Sequence, residues 1–136
     1  MLIFFFLLHL EKIDYFENCT FSISYPETGI ASIDNAIIGH INELKMYFLN
    51  KYQDSSENAT KYTLHIDYEN YVESQDTLLL IFIDNIAKDD NEVISQNEYA
   101  YRYDLNNGQE IESAKLPTLE VKIEVEGISG VQGEEQ

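Results

Sequence analysis

With 136 residues the chain fits one domain and is long enough to bury a core without disulfide or metal staples. It is 44% hydrophobic with ten Tyr and seven Phe, which excludes intrinsic disorder, and 25 acidic against eight basic residues leave a net charge of −17. Such a surface repels phosphate backbones and excludes nucleic acid as an expected partner; a basic protein would be attracted instead.

The first ten residues, MLIFFFLLHL, form a dense apolar block, about half of the roughly 20 residues that cross a bilayer. Glu11 and Lys12 follow directly, without the basic start and small-residue cleavage site of a signal peptide. Residues 1–17 read as an apolar start, with three alternatives: a first buried strand, the tail of a lost N-terminal membrane anchor, or a degenerate export signal. That anchor would be the only link to a membrane. Cys19 is the single cysteine, so no intrachain disulfide forms, and a buried inert thiol is the expectation. Asn18-Cys-Thr20 and Asn58-Ala-Thr60 match the glycosylation triplet, a pattern common by chance.

Thr20–Tyr25 alternates Phe21, Ile23 and Tyr25 with polar residues, as a half-buried strand does. Pro26 ends it, and Ser32–Tyr52 follows as one long helix with Ile37, Ile41, Leu44 and Phe48 on its apolar side. Ser32 is the expected N-cap, and Asp34 suits the positive end of the helix dipole. After a polar loop at 53–60, Lys61–Val72 is a strand with Tyr62, Leu64, Ile66 and Tyr68 on one face. Thr77–Ile83 lacks alternation and predicts a central strand or one beneath the helix, hairpinned to its predecessor across Glu73–Asp76. Asp84–Asn97, polar and acidic, reads as a long connection. Glu98–Leu105 then carries Tyr99, Tyr101 and Tyr103 on one face, and Asn106-Asn107-Gly108 is a tight-turn signal before a short strand at Gln109–Glu112. Leu119–Glu126 predicts a last alternating strand, and 127–136 a flexible tail. The expected fold is therefore α+β: one long amphipathic helix on a mainly antiparallel sheet, a single domain over residues 18–126.

Motifs for chemistry are sparse. Histidines stand only at positions 9, 40 and 65, and there is neither a zinc-binding spacing, a glycine-rich phosphate loop nor a nucleophile elbow. No catalytic residue, metal ligand or cofactor is expected. His65 and Asp67 share a strand face and could tune a general base, but a surface ion pair across a polar sheet face is the expected reading. Asp89-Asp90 with Asn91 and Glu92 offers oxygens for calcium but lacks the glycine and spacing of a calcium loop. The tyrosines carry the remaining signal: Tyr99, Tyr101 and Tyr103, with Tyr62 and Tyr68, suit either a recognition surface or a packed face beneath the helix.

Ser22-Ile-Ser-Tyr-Pro26, the helix opened near Ile33-Asp34, Tyr62-x-Leu-x-Ile-x-Tyr68, Leu78–Phe82 and Tyr101-x-Tyr-Asp-Leu-x-x-Gly108 occur in this order. The order resembles the extracytoplasmic domain shared by PdaC-type peptidoglycan deacetylases and RsiV-type anti-sigma factors, over about residues 18–112. The resemblance implies an α+β accessory or sensor domain on the outer side of a Gram-positive-type membrane, binding cell-wall glycan or a protein such as lysozyme. Lysozyme is basic, which the charge of −17 would suit. In that family a Gly-Gly-Ala-His stretch precedes the strand corresponding to Glu98–Leu105; here residues 86–97 take its place. The family's deacetylase binds metal through an Asp and a His-x-x-x-His pair, and no two histidines here are that close, so the chain is expected to act by binding and not as an enzyme. The alternative is a small acidic intracellular interaction protein, of the immunity or inhibitor kind, that masks a basic partner.

Overall fold

The computed structural model describes residues 7–116 apart from positions 75 and 90. The first six residues of the apolar start, the expected strand Leu119–Glu126 and the tail 127–136 lie outside the described residues. Seven elements follow one another: β1 (Leu8–Phe16), β2 (Cys19–Glu27), α1 (Ala31–Tyr52), β3 (Tyr62–Glu73), β4 (Thr77–Lys88), β5 (Glu92–Asp104) and β6 (Glu110–Leu116). The strands form one sheet in the order β1-β2-β3-β4-β5-β6. All neighbours are antiparallel except β2 and β3, which α1 joins as a crossover and which run parallel.

The expected α+β class is corrected. Over the described residues the protein is mainly β, 55% strand against 21% helix, and the six described strands curl into a half-barrel against which one long helix packs. The physical reason lies in the segment read as a connection. β4 runs on through Asn85 to Lys88 and β5 begins at Glu92, so most of Asp84–Asn97 is paired backbone. The reversal falls between Lys88 and Glu92, where Asp89 and Asn91 take φ of 43° and 66°, a conformation that Asn and Asp tolerate better than most side chains. Register shifts at Ile86/Ala87 and at Arg102/Tyr103 put bulges into β4–β5 and β5–β6. Bulges increase local twist, which turns a flat sheet into one that wraps the helix.

The core lies on the concave face. Phe21 and Ile23 of β2, Leu64 and Ile66 of β3, and Leu78, Leu80 and Phe82 of β4 meet Ile33, Ile37, Ile41 and Phe48 of α1. Period two on the strands and about period four on the helix deliver these side chains to one interior. On β4 the buried positions alternate with half-buried ones, so its other face is partly solvated rather than covered. Cys19 is buried, and burial, followed by the nearby Glu17 charge, pushes its thiol pKa up.

The helix start also differs from expectation. Ile30 occupies the cap position with no side-chain cap, and Ser32 instead donates its hydroxyl to the Gly108 carbonyl at 2.8 Å. Asp34 supplies what a cap would: its carboxylate accepts from the backbone N–H of Thr28 at 2.7 Å and of Gly29 at 3.0 Å, and from the Thr28 hydroxyl at 2.7 Å. At the other end Asn18 donates its side-chain amide to the carbonyls of Tyr52 and Thr60, at 2.9 and 2.7 Å, and accepts from Asp54 N–H at 2.8 Å. That amide pins the end of α1 to the β1–β2 turn, with both of its N–H groups engaged.

Gly108 closes the β5–β6 turn at φ 72°, where a Cβ would press on Ser32 Oγ and come within 2.8 Å of Ile30 Cγ2. Gly108→Ala is expected to lose about 2 kcal/mol of unfolding free energy in urea titrations, from left-handed strain plus overpacking. Removing the Ser32 hydroxyl in the same chain should recover part of that loss.

Candidate functional site

The helix does not fill the half-barrel. Between its second half and the β4–β5 hairpin runs a groove of about 630 Å³, inside the range of roughly 300–1,000 Å³ common to small-ligand sites. One wall is helical: Glu43, Leu44, Tyr47, Phe48, Lys51 and Tyr52 line it, two residues per turn as a single helix face presents them. The other wall is β5, where Ser95, Asn97 and Tyr99 share a strand face with Ile94 beside them. Leu64, Ile86 and the buried Asp84 form the floor.

Asp84 continues the buried alternation Leu78, Leu80, Phe82 along β4 and brings a carboxylate to the concave side. Burial raises the phenol pKa of Tyr99, with the charge of Asp84 adding to the effect and Tyr47 contributing less. At the rim Lys51 donates to the Tyr47 hydroxyl at 3.3 Å, and its ammonium lies 5.6 Å from the ring centres of both Tyr47 and Tyr52. That hydrogen bond is the main cause of the raised pKa of this exposed lysine.

The five tyrosines marked by the sequence occupy four different surroundings. Tyr99 lines the groove. Tyr101 and Tyr103 continue up the same face of β5 into the core, Tyr103 to 3% exposure. Tyr62 packs against Tyr52 with ring centres 4.4 Å apart and planes tilted by 39°, and Tyr68 reaches the other end of the sheet, where it shares a 2.8 Å hydrogen bond with His9. Desolvation by burial, followed by Glu110, pushes both the Tyr101 and Tyr103 phenols up to about 12, so they remain protonated.

Tyr101 is hydrogen-bonded at 2.9 Å to Nδ1 of His40, whose ring packs 4.9 Å from Phe82 and 5.0 Å from Tyr99. His40 Nε2 is buried and has no hydrogen-bond partner among the described residues. Burial lowers the imidazole pKa to about 4. His40 is thus a neutral core-facing ring between α1 and β5.

His65 and Asp67 lie on the opposite face, in a shallow depression of about 330 Å³ shared with Ser22, Ser24 and Asn85. Asp67 is exposed and accepts from the N–H of Tyr68 at 2.8 Å. Asp89 accepts from Lys61 N–H at 3.2 Å, and its neighbour Asp90 lies outside the described residues. Among the described residues no three His, Cys, Asp or Glu side chains cluster as metal ligands, and no helix is long and apolar enough to cross a membrane.

On the helix, Glu43 reads as polar side and Tyr52 as a widening of the apolar stripe, while Tyr47 and Lys51 carry no signal in the sequence. Ser95, Asn97 and Asp84 were hidden in the segment taken for a connection. The continued alternation 78-80-82-84-86 on β4, and 95-97-99-101-103 on β5, is the signal that marks them. No protein-family model matches the chain, and no curated protein matches it.

Proposed function

We propose that this chain is a non-catalytic extracytoplasmic binding domain whose helix–sheet groove takes a cell-wall glycan. The observation that carries the reading is the composition of the groove. Tyr47, Tyr52 and Tyr99 bring aromatic rings for the apolar faces of sugar rings, and Glu43, Ser95 and Asn97 bring side chains that can bond hydroxyl and acetamido groups. The ordered motif set that resembles the accessory domain of PdaC-type deacetylases and RsiV-type anti-sigma factors supports the same class of ligand and the same side of the membrane.

Calorimetric titration with soluble peptidoglycan fragments tests the proposal. Binding is expected for the native chain and should weaken at least tenfold in Tyr47→Ala, whose exposed ring can be removed without touching the core. Heat at the background level with millimolar fragments, or affinity unchanged in the variant, defeats it.

A second reading is favoured by the charge of −17: the partner is a basic protein of the lysozyme kind, on the cell surface or, in an intracellular masking protein, inside. It predicts association with lysozyme that slows steeply as salt is raised and that is indifferent to Tyr47→Ala.

A further inference from the structure

We propose that β1 is a dimerisation strand, pairing antiparallel with β1 of a second copy across a two-fold axis at Ile13. β1 ends the sheet: one edge is bonded to β2, and among the described residues no strand pairs with the other. Large apolar side chains stand exposed along it, Ile13 at 61% and Tyr15 at 76%, with Leu8 and Phe16 also exposed. A long edge is a template for strand addition, and charges such as Glu11, Lys12 and Asp14 guard it against any strand that does not pair them.

The sequence of β1 selects its own copy. A two-fold axis normal to the sheet keeps every side chain on its face, so opposed residues must be an even number apart and the axis must pass through a residue. Centres at Glu11, Lys12 or Asp14 set like charges directly against each other. A centre at Leu10 opposes Lys12 with Leu8, and one at Tyr15 runs Lys12 against the turn residue Asn18. The centre at Ile13 opposes Lys12 with Asp14 twice and Leu10 with Phe16 twice. It also brings Glu11 opposite Tyr15, whose hydroxyl can donate to the carboxylate. Opposite-charge and apolar cross-strand pairs are the unit of sheet stabilisation. The net charge of −17 on each copy opposes association, but at physiological salt that repulsion is screened beyond about 8 Å while the facing pairs are closer.

Sedimentation of the full chain at physiological salt, from about 1 to about 500 μM, reads the association, because one strand pair buries less than a standard interface and binds weakly. A concentration-dependent dimer is expected. Lys12→Asp or Asp14→Lys alone should weaken it at least tenfold, and the double swap K12D/D14K should restore it. Ile13→Cys should cross-link to its own copy under mild oxidation, whereas the buried Cys19 of the native chain should not. A monomer throughout the range overturns the proposal and returns the edge to a strand from another protein. A dimer indifferent to the single swaps overturns it as well, as does failure of the double swap in a chain whose circular dichroism is native.

Discussion

Phe48→Ala is expected to cost about 3–5 kcal/mol of unfolding free energy, the range for a fully buried aromatic truncated in a packed core. Phe48 is 0% exposed, meets Phe21 of β2 edge-to-face with ring centres 5.5 Å apart, and has the Tyr52 ring 5.4 Å away. It is the large side chain with which α1 enters the curl of the sheet, and the interior can close only partly around an alanine. The loss should appear as a lower urea midpoint at unchanged slope. Tyr47→Ala, one residue away but exposed, should move stability by no more than about 0.5 kcal/mol. A loss below about 1.5 kcal/mol for Phe48→Ala would show that the helix is not seated as described.

A second large effect is expected on acidification, and its source is His40. The imidazole pKa falls from 6.5 to about 4 in the fold, through burial. Between those values the unfolded chain binds a proton that the folded chain does not, so stability falls as pH drops through the window. Above pH 6.5 the ring is neutral in both states and the contribution is flat; below about 4 the loss is complete. The shift converts to at most about 3 kcal/mol, less where solvent reaches the ring. The carboxylates titrate in an overlapping range, so the measurement is the difference between native chain and His40→Gln. That variant keeps a hydrogen-bonding group toward Tyr101 but cannot ionise. Its stability relative to the native chain should rise as pH is lowered from 7 to 4; parallel curves would show that the ring is solvated.

The helix was legible because its apolar residues recur with a helical period over five turns, and the structure starts it at Ala31, one residue from expectation. The Tyr62–Tyr68 and Phe21–Tyr25 alternations were legible for the same reason. Asp84–Asn97 departs from the expected connection because its polar residues belong to paired strands. In a hairpin with one solvated face, Asn85, Lys88 and Gln96 are strand residues like any other. The groove shares that difficulty, because Asp84, Ser95 and Asn97 of its polar lining sit in the same segment.

The sequence by itself determined which faces are apolar, where the turns at 106–108 and 73–76 fall, and that the surface is strongly acidic. These depend on neighbours within a few positions, where spacing and side-chain chemistry suffice. Only the tertiary structure decided the rest. Two bulges and the parallel β2–β3 pair curl the sheet around α1. The helix fills one part of that curl and leaves a groove beside it, so Tyr103 is core, Tyr99 is wall and Tyr68 belongs to another surface. It also decided that β1, at the end of the apolar start, forms an edge of the described sheet. Which side of a strand is buried is set by what packs on it, and for β1 no second layer of the described fold does.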